Sequence, residues 1–264
     1  MQSFESWGFH DEAQVLKYYT YITSTSAPIL SVSPPTADCS PTTTSAEAPL
    51  TLDLATLEKR ITELESKMLI ELETPGRRGG NDECVSRVYD EVKSLKQYSS
   101  LWTWVPKTYY KLSLPERSKI LRTTVPQLCK SMLMENKSFK DTNSNSQNSR
   151  FYLVVVQYCS SIDVKKLEGE VRGLLPVKDR LTSKDYTFSV AKETDSDDLT
   201  GFKHNSVSPF GLCSKIPVIL DKSIAHLETP FFWMGGGHPD LKLGMSVNDF
   251  LKAGGIVCDI DVDK

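Results

Sequence analysis

The chain has 264 residues, of which 39% are apolar and 25% charged, with a formal net charge of −3. That length and apolar content allow one sizeable core or two small ones, and the net charge excludes a protein that coats nucleic acid over its whole surface, while leaving room for a local basic patch. Six cysteines occur without a CxxC pair or zinc-type Cys/His spacing, and no apolar run reaches the roughly 18 residues of a membrane span.

The first residues, MQSFESWGFHDEAQ, lack a basic region followed by an apolar run, so they do not read as a secretory signal. Reduced thiols in a cytoplasmic protein with no membrane partner are the expectation. Residues 1–49 read as mostly disordered. The Ser/Thr/Pro/Ala tract from Ser24 to Pro49 has too little apolar surface to offset its ordering entropy. Before it, Trp7, Phe9, Val15, Leu16 and Tyr19 form either a short helix or a segment that docks on a partner.

Residues 50–73 read as a coiled-coil-like helix. Leu50, Leu54, Leu57, Ile61, Leu64 and Met68 recur at spacings of four and three, with Glu and Lys between them. Fewer than three heptads make a marginal helix on its own. It either packs on its own domain or pairs with another chain. A flexible break follows, with Pro75, Gly76, Gly79 and Gly80.

Residues 81–111 read as a helical and aromatic extension. Val85, Val88, Val92 and Leu95 sit at helical spacing, and SLWTWVPKTYYKLS is aromatic with Lys107 and Lys111. The stretch from Arg77 to Lys130 is locally basic, with Trp102, Trp104, Tyr109 and Tyr110 interleaved. Two readings stand: a surface that contacts an RNA stem and stacks a base, or a helical cap whose aromatics are core.

From Ser113 the elements become denser. Ser113 followed by Glu116, with Pro115 in the first turn, predicts a capped short helix. Leu128 to Lys137 and the β-branched run Phe151 to Cys159 predict strands, separated by a polar loop over Asp141 to Ser149. VKKLEGEVRGLL is an amphipathic helix, and a second ends at Gly201. KIPVILDKSI, PFFWMGG and LKLGM give three short strands, and a last helix runs from a Ser246 cap to Gly254. Helices and strands mix without strict alternation, which predicts an α+β domain from about residue 112 to 264.

The ordered set CKSMLMEN, FYLVVVQY, VKKLEGEV, LTGFKHNSVSPFG, KIPVILDKSI, FFWMGGGHPDLKL and SVNDFLKAGG resembles the YbaK/prolyl-tRNA-synthetase editing-domain family, over roughly Leu112 to Gly255. The resemblance implies a mixed-sheet, barrel-like domain flanked by helices. It also implies an aminoacyl-tRNA deacylase that hydrolyses the ester joining a wrong amino acid to the terminal adenosine of tRNA. Such hydrolysis is substrate-assisted, with no cofactor, no metal and no covalent intermediate. The partner implied is the aminoacylated acceptor end of tRNA. Residues 1–73 offer a tether to a synthetase or a multi-synthetase assembly.

Carried over residue by residue, Lys130 matches the family's pocket lysine, where an ammonium holds a phosphate or steadies the ester. The family's G-x-x-x-P loop falls on Asn205, Ser206, Val207, Ser208 and Pro209, followed by Phe210 and Gly211. Asn205 replaces the family's glycine, and Asn tolerates positive φ better than most residues. The amides of Ser206, Val207 and Ser208 then face a carbonyl or oxyanion. What Asn205 puts in question is which amino acid fits.

His204 precedes the loop, where a neutral imidazole binds a hydroxyl or relays a proton, or is incidental. Gly236 and Gly237 allow close backbone approach, and His238 beyond them is a candidate pocket residue, taken with Lys130 as catalytic. Asp221 matches an acidic position of the family and reads equally as a turn residue. Cys213 has no evident His and acid partners to activate it as a nucleophile, and no HxxxH or carboxylate cluster suggests a metal hydrolase. A second reading, a non-catalytic adaptor that keeps the editing fold to bind tRNA or a synthetase, rests on the Asn205 departure.

Overall fold

The structure is a computed structural model that describes residues 82–140 and 148–262, together with Lys59, Thr62 and Glu63. The expected disordered segment, nearly all of the coiled-coil run and most of the polar loop over 141–149 lie outside the described residues. Lys59, Thr62 and Glu63 are helical.

The described elements run α1 (Glu83–Ser94), β1 (Leu101–Trp104), α2 (Leu114–Ile120), β2 (Cys129–Asn136), β3 (Phe151–Gln157), α3 (Val164–Leu174), β4 (Phe188–Val190), α4 (Glu193–Thr200), β5 (Val218–Asp221), α5 (Lys222–Ala225), β6 (Phe231–Gly235), β7 (Leu241–Ser246), α6 (Val247–Lys252) and β8 (Ile256–Cys258). None of the described helices is long and apolar enough to cross a membrane.

The strands form two open sheets, so the fold is mixed α+β but not barrel-like. One is antiparallel in the order β1-β7-β6, and the other is mixed in the order β4-β2-β3-β5-β8. Within the second, β3 pairs antiparallel to β2 and parallel to β5, and β5 pairs parallel to β8. The sheets meet at a single parallel bridge between Leu128 and Trp233. One bridge does not carry a ladder, and so the sheets stay separate rather than closing.

The apolar run of β3 follows from burial on both faces. Tyr152, Val154 and Val156 pack with Leu167 and Val171 of α3. Val155 belongs instead to a core with Phe232, Leu243 and Phe250, and Leu153 to a smaller cluster with Leu133 and Ile216.

α1 joins that larger core through Val85, Val88 and Val92. Its N-cap Asp82 accepts from the amides of Cys84 at 3.1 Å and Val85 at 3.3 Å. Leu95, which helical spacing predicted on the same face, is the C-cap residue and is 40% exposed, because the helix stops at Ser94. β1 pairs along its length with β7, from Leu101 opposite Gly244 to Trp104 opposite Leu241. The Ser99 hydroxyl donates to Asp249 of α6 at 2.7 Å and accepts from the Ser246 amide at 3.0 Å. Residues 82–111 are therefore built into the same core as the strands that follow.

The smaller predicted features hold. The Glu116 carboxylate accepts from the Ser113 amide at 2.8 Å at the start of α2. Gly201 caps α4 in the left-handed region at φ 74°, and the Ser246 hydroxyl accepts from the Asp249 amide at 3.2 Å at the start of α6.

Candidate functional site

Where the two sheets meet, a cavity of about 460 Å³ opens between several parts of the chain. β2 contributes Lys130, β6 contributes Trp233 to Gly235, β7 contributes Lys242, and α4 contributes Glu193 and Asp197. The loop after α4 contributes His204, Asn205 and Val207, and Tyr110 and Tyr158 complete the wall. Lysines and carboxylates thus enter one cavity from different elements.

The loop is built by a tight turn. The Ser206 amide donates to the Lys203 carbonyl at 3.0 Å, and the Ser206 hydroxyl donates to the same oxygen at 2.6 Å. Asn205, the third residue of that turn, has φ 67°. A type II turn requires positive φ there, which selects Gly or Asn. Asparagine thus supplies a backbone path that glycine would also take. The turn is held from α4 as well, since Lys203 Nζ lies 2.6 Å from Asp197 Oδ2.

The loop then crosses the end of β6. A Cβ added to Gly235 would overlap the Val207 carbonyl oxygen and lie 3.0 Å from its carbon, so only glycine lets the two backbones approach this closely. Among the loop amides, that of Ser206 is used in closing the turn. Those of Val207 and Ser208 have no acceptor among the described residues.

Lys130 lines the cavity from β2, with its Nζ 6.0 Å from the Tyr158 ring centroid. Lys242 is a second lysine of the same cavity and is only 5% exposed. Its Nζ donates to the Tyr110 hydroxyl at 2.9 Å and to the Pro239 carbonyl at 2.7 Å. It also lies 4.6 Å from the Tyr110 ring centroid and 5.2 Å from that of Tyr109. Burial pulls its pKa down to about 7, with nearby Asp240 opposing and Arg117 reinforcing the shift. The same burial raises the phenols of Tyr109, Tyr110 and Tyr158 above their ordinary range.

Arg117 organises this aromatic wall. Its guanidinium carbon lies 5.3 to 5.5 Å from the ring centroids of Tyr109, Tyr110 and Tyr158. Its Nη2 donates to the Tyr110 carbonyl at 2.8 Å and its Nε to the Leu112 carbonyl at 2.9 Å. Trp102 and Tyr109 are buried, as the core reading of this stretch expects, while Tyr110 faces the cavity.

Of the residues singled out from sequence, Lys130, His204, Asn205 and Val207 come together at the cavity. Ser206 and Ser208 are buried behind the loop, the Ser208 hydroxyl accepting from the Phe210 amide at 3.2 Å. Pro209 lines a separate depression with Phe210 and Phe250. Gly211 (φ 70°) lies against the backbone of Arg87 and Val88, and its amide donates to the Glu91 carboxylate.

Gly236 packs on Leu241, and Gly237 (φ 91°) on Cys84 and Val88 of α1. His238 is half-buried, its Nδ1 accepts from the Asp240 amide at 3.0 Å, and its ring lies 5.2 Å from Trp104. Asp221 is fully buried at the N-terminus of α5. It accepts from the Ser223 amide and hydroxyl and from the Ile260 amide at 3.3 Å, and burial raises its pKa. None of Gly211, Asp221, Gly236, Gly237 and His238 lines the cavity.

Lys242, Gly235, Tyr158, Glu193 and Asp197 are among the cavity residues that the sequence did not single out, and Tyr110 stood there only as one of the interleaved aromatics. The available signal was glycine at the end of an apolar strand and a lysine between two leucines. Cys213 is exposed and contacted by Arg87 Nη1 at 3.0 Å, away from the cavity. Among the described residues, no three of His, Cys, Asp and Glu gather as a metal-ligand group.

No curated protein matches the chain. Three solved structures share the fold, with identities that support no more than that. One is a candidate trans-editing enzyme for prolyl tRNA synthetase, with TM-score 0.52 and 18% identity, covering 70% of this chain and 100% of its own. Another, the hypothetical protein APE2540, has TM-score 0.50 and 17% identity over 67% of this chain and 99% of its own. A third comes from work on grafting linear epitopes onto scaffold proteins by computational design, with TM-score 0.52 and 17% identity over 70% and 100%. Residues 113–253, more than half of the sequence, match the aminoacyl-tRNA editing domain, and the chain belongs to that family.

Proposed function

We propose that the protein is a trans-editing deacylase, which hydrolyses the ester of a mischarged aminoacyl-tRNA in the cavity between β2, β6 and the Asn205–Val207 loop. The observation that carries this reading is the joint presence, in one cavity, of Lys130 and a loop whose Asn205 holds a glycine-like φ of 67°. The adaptor reading rested on the loss of glycine at Asn205, and the left-handed backbone there removes its main support.

In this reading the aminoacyl group enters beside the loop, and its ester carbonyl oxygen receives the amide of Val207, which lacks another acceptor among the described residues. Such a donor favours the charge that develops on oxygen in the tetrahedral intermediate. Lys130 holds a phosphate of the terminal nucleotide or steadies the ester end. The α-ammonium of the amino acid faces Glu193 and Asp197, the carboxylates of the cavity. Water adds to the carbonyl carbon, with the adjacent ribose hydroxyl helping to place it. The C–O bond to the ribose breaks, the ribose oxygen leaves with a proton, and the free amino acid departs. Binding alone separates amino acids differing by one methylene by only about 1–3 kcal/mol, and a second hydrolytic site makes up the difference.

A deacylation assay with tRNAs carrying different small amino acids tests the proposal. Acceleration of at least one of them over the uncatalysed rate supports it, and acceleration of none refutes it. Residues 1–73 are assigned the tethering role, with a synthetase as the partner. Co-purification that survives in the full chain and is lost on deletion of 1–73 is the outcome expected.

A further inference from the structure

The buried ammonium of Lys242 has no place in the chemistry above, yet it is joined to the loop that does. A phenol has one proton to donate. The Tyr110 hydroxyl donates it to the Asn205 carbonyl at 2.7 Å, so at the 2.9 Å contact with Lys242 the phenol oxygen is the acceptor. Lys242 is fixed in turn by its bond to the Pro239 carbonyl. The chain of contacts therefore runs from β7 through Lys242 and Tyr110 to the left-handed residue of the loop.

Tyr110 is held at both ends. Arg117 of α2 grips its backbone carbonyl, and Lys242 meets its hydroxyl. Two residues beyond Asn205, the Val207 carbonyl rests on Gly235. The short stretch between these two contacts carries the amide assigned to the ester carbonyl.

We propose that Lys242 is a positioning residue, which through the Tyr110 hydroxyl sets where the Asn205–Val207 backbone stands in the cavity. The proposal rests on the deacylase reading for its kinetic consequence, but its structural consequence is independent of that reading. Displacement of about 1 Å in a group that meets the reacting atoms costs up to a hundredfold in rate. Loss of either link therefore lowers turnover rather than the affinity for the tRNA body.

The test compares Tyr110→Phe, Lys242→Met and the double variant in the full chain. Amide hydrogen exchange is read at Ser206, whose amide is bonded to the Lys203 carbonyl, and, as an internal reference, at Val154 in β3. Each single variant is expected to speed exchange in the loop by about tenfold while Val154 is unchanged. Single-turnover deacylation is expected to fall about ten- to a hundredfold with KM within about threefold. Because the two residues act as one link, the double variant is expected to match the worse single variant. Unchanged loop exchange, faster exchange at Val154 as well, or full additivity in the double variant would each overturn the proposal. If the wild type deacylates no tRNA, the proposed function fails, and loop exchange still decides this inference.

Discussion

The Val207 carbonyl rests directly against the Cα of Gly235, leaving no space for a side chain at the end of β6. The obstacle is backbone on both sides, so it cannot swing away as a flexible side chain would. Gly235→Ala should therefore push the loop out of the cavity. A stability loss of about 1–3 kcal/mol is expected from overpacking, together with a fall in deacylation larger than the stability loss explains. Thermal melting and single-turnover kinetics on the folded fraction separate the two effects. A variant with unchanged kinetics would show that the loop does not need its present position.

Asn205 makes a complementary prediction. At φ 67° a glycine is unstrained and a β-branched residue is not. Asn205→Gly should change stability by less than about 1 kcal/mol and keep activity, while widening the range of amino acids cleared. Asn205→Val should lose about 1–2 kcal/mol and most of the activity. Chemical denaturation and a panel of mischarged tRNAs read both. Equal behaviour of the Gly and Val variants would contradict the account of the turn.

These two residues also show what the sequence disclosed and what it hid. Asn205 was legible because positive φ is a local demand, and a local motif records it. The strands around Phe151 and Phe231 were legible for the same reason, since apolar runs report burial. β1 was not: LWTW is followed by Val105 and Pro106, and its pairing partner β7 lies about 140 residues away. Lys242 was hidden by its neighbours. Leu241, Lys242 and Leu243 read as a strand with one polar face, yet all three are buried, because Tyr109 and Tyr110 cover that face. Gly236 and Gly237 read as pocket glycines, whereas the close approach they permit is to Leu241 and to α1.

Asp221 illustrates the same limit, and it separates stability from activity. Its carboxylate satisfies the Ser223 and Ile260 amides where β5 turns into α5. Asp221→Ala strands those donors in the interior, with an expected loss of about 1–3 kcal/mol. Thermal melting should show the loss, and kcat per folded molecule should stay within about twofold. A large fall in kcat at full folding would return Asp221 to the site.

Lys242 predicts a pH dependence of stability. An unfolded lysine keeps its proton up to about pH 10.5, whereas the buried one releases it near pH 7. Between those values the unfolded state binds more protons, so stability rises with pH at up to roughly 1.4 kcal/mol per unit. The groups facing Lys242 are Tyr109, Tyr110, Arg117 and Asp240, and burial keeps both phenols neutral through this window. Above pH 9 the thiols of Cys84, which is half-buried, and of Cys129 and Cys258, which are buried, act in the opposite sense. Their raised pKa values keep them neutral in the fold after the unfolded thiols have ionised. Wild-type stability should therefore rise from pH 7 to 9 relative to Lys242→Met. Denaturant titrations at pH 7, 8 and 9 measure the difference, and parallel curves would contradict the burial argument.

The central claim is that Lys130 and the Asn205–Val207 loop form one hydrolytic site for aminoacyl-tRNA. The most direct measurement is single-turnover deacylation of a panel of mischarged tRNAs by the wild type and by Lys130→Ala, with folding of both checked by melting. The account predicts that the wild type clears at least one of them about tenfold or more faster than the variant, as loss of a charge-stabilising contact in the transition state requires. Hydrolysis of every tRNA at the same rate by both proteins would contradict it.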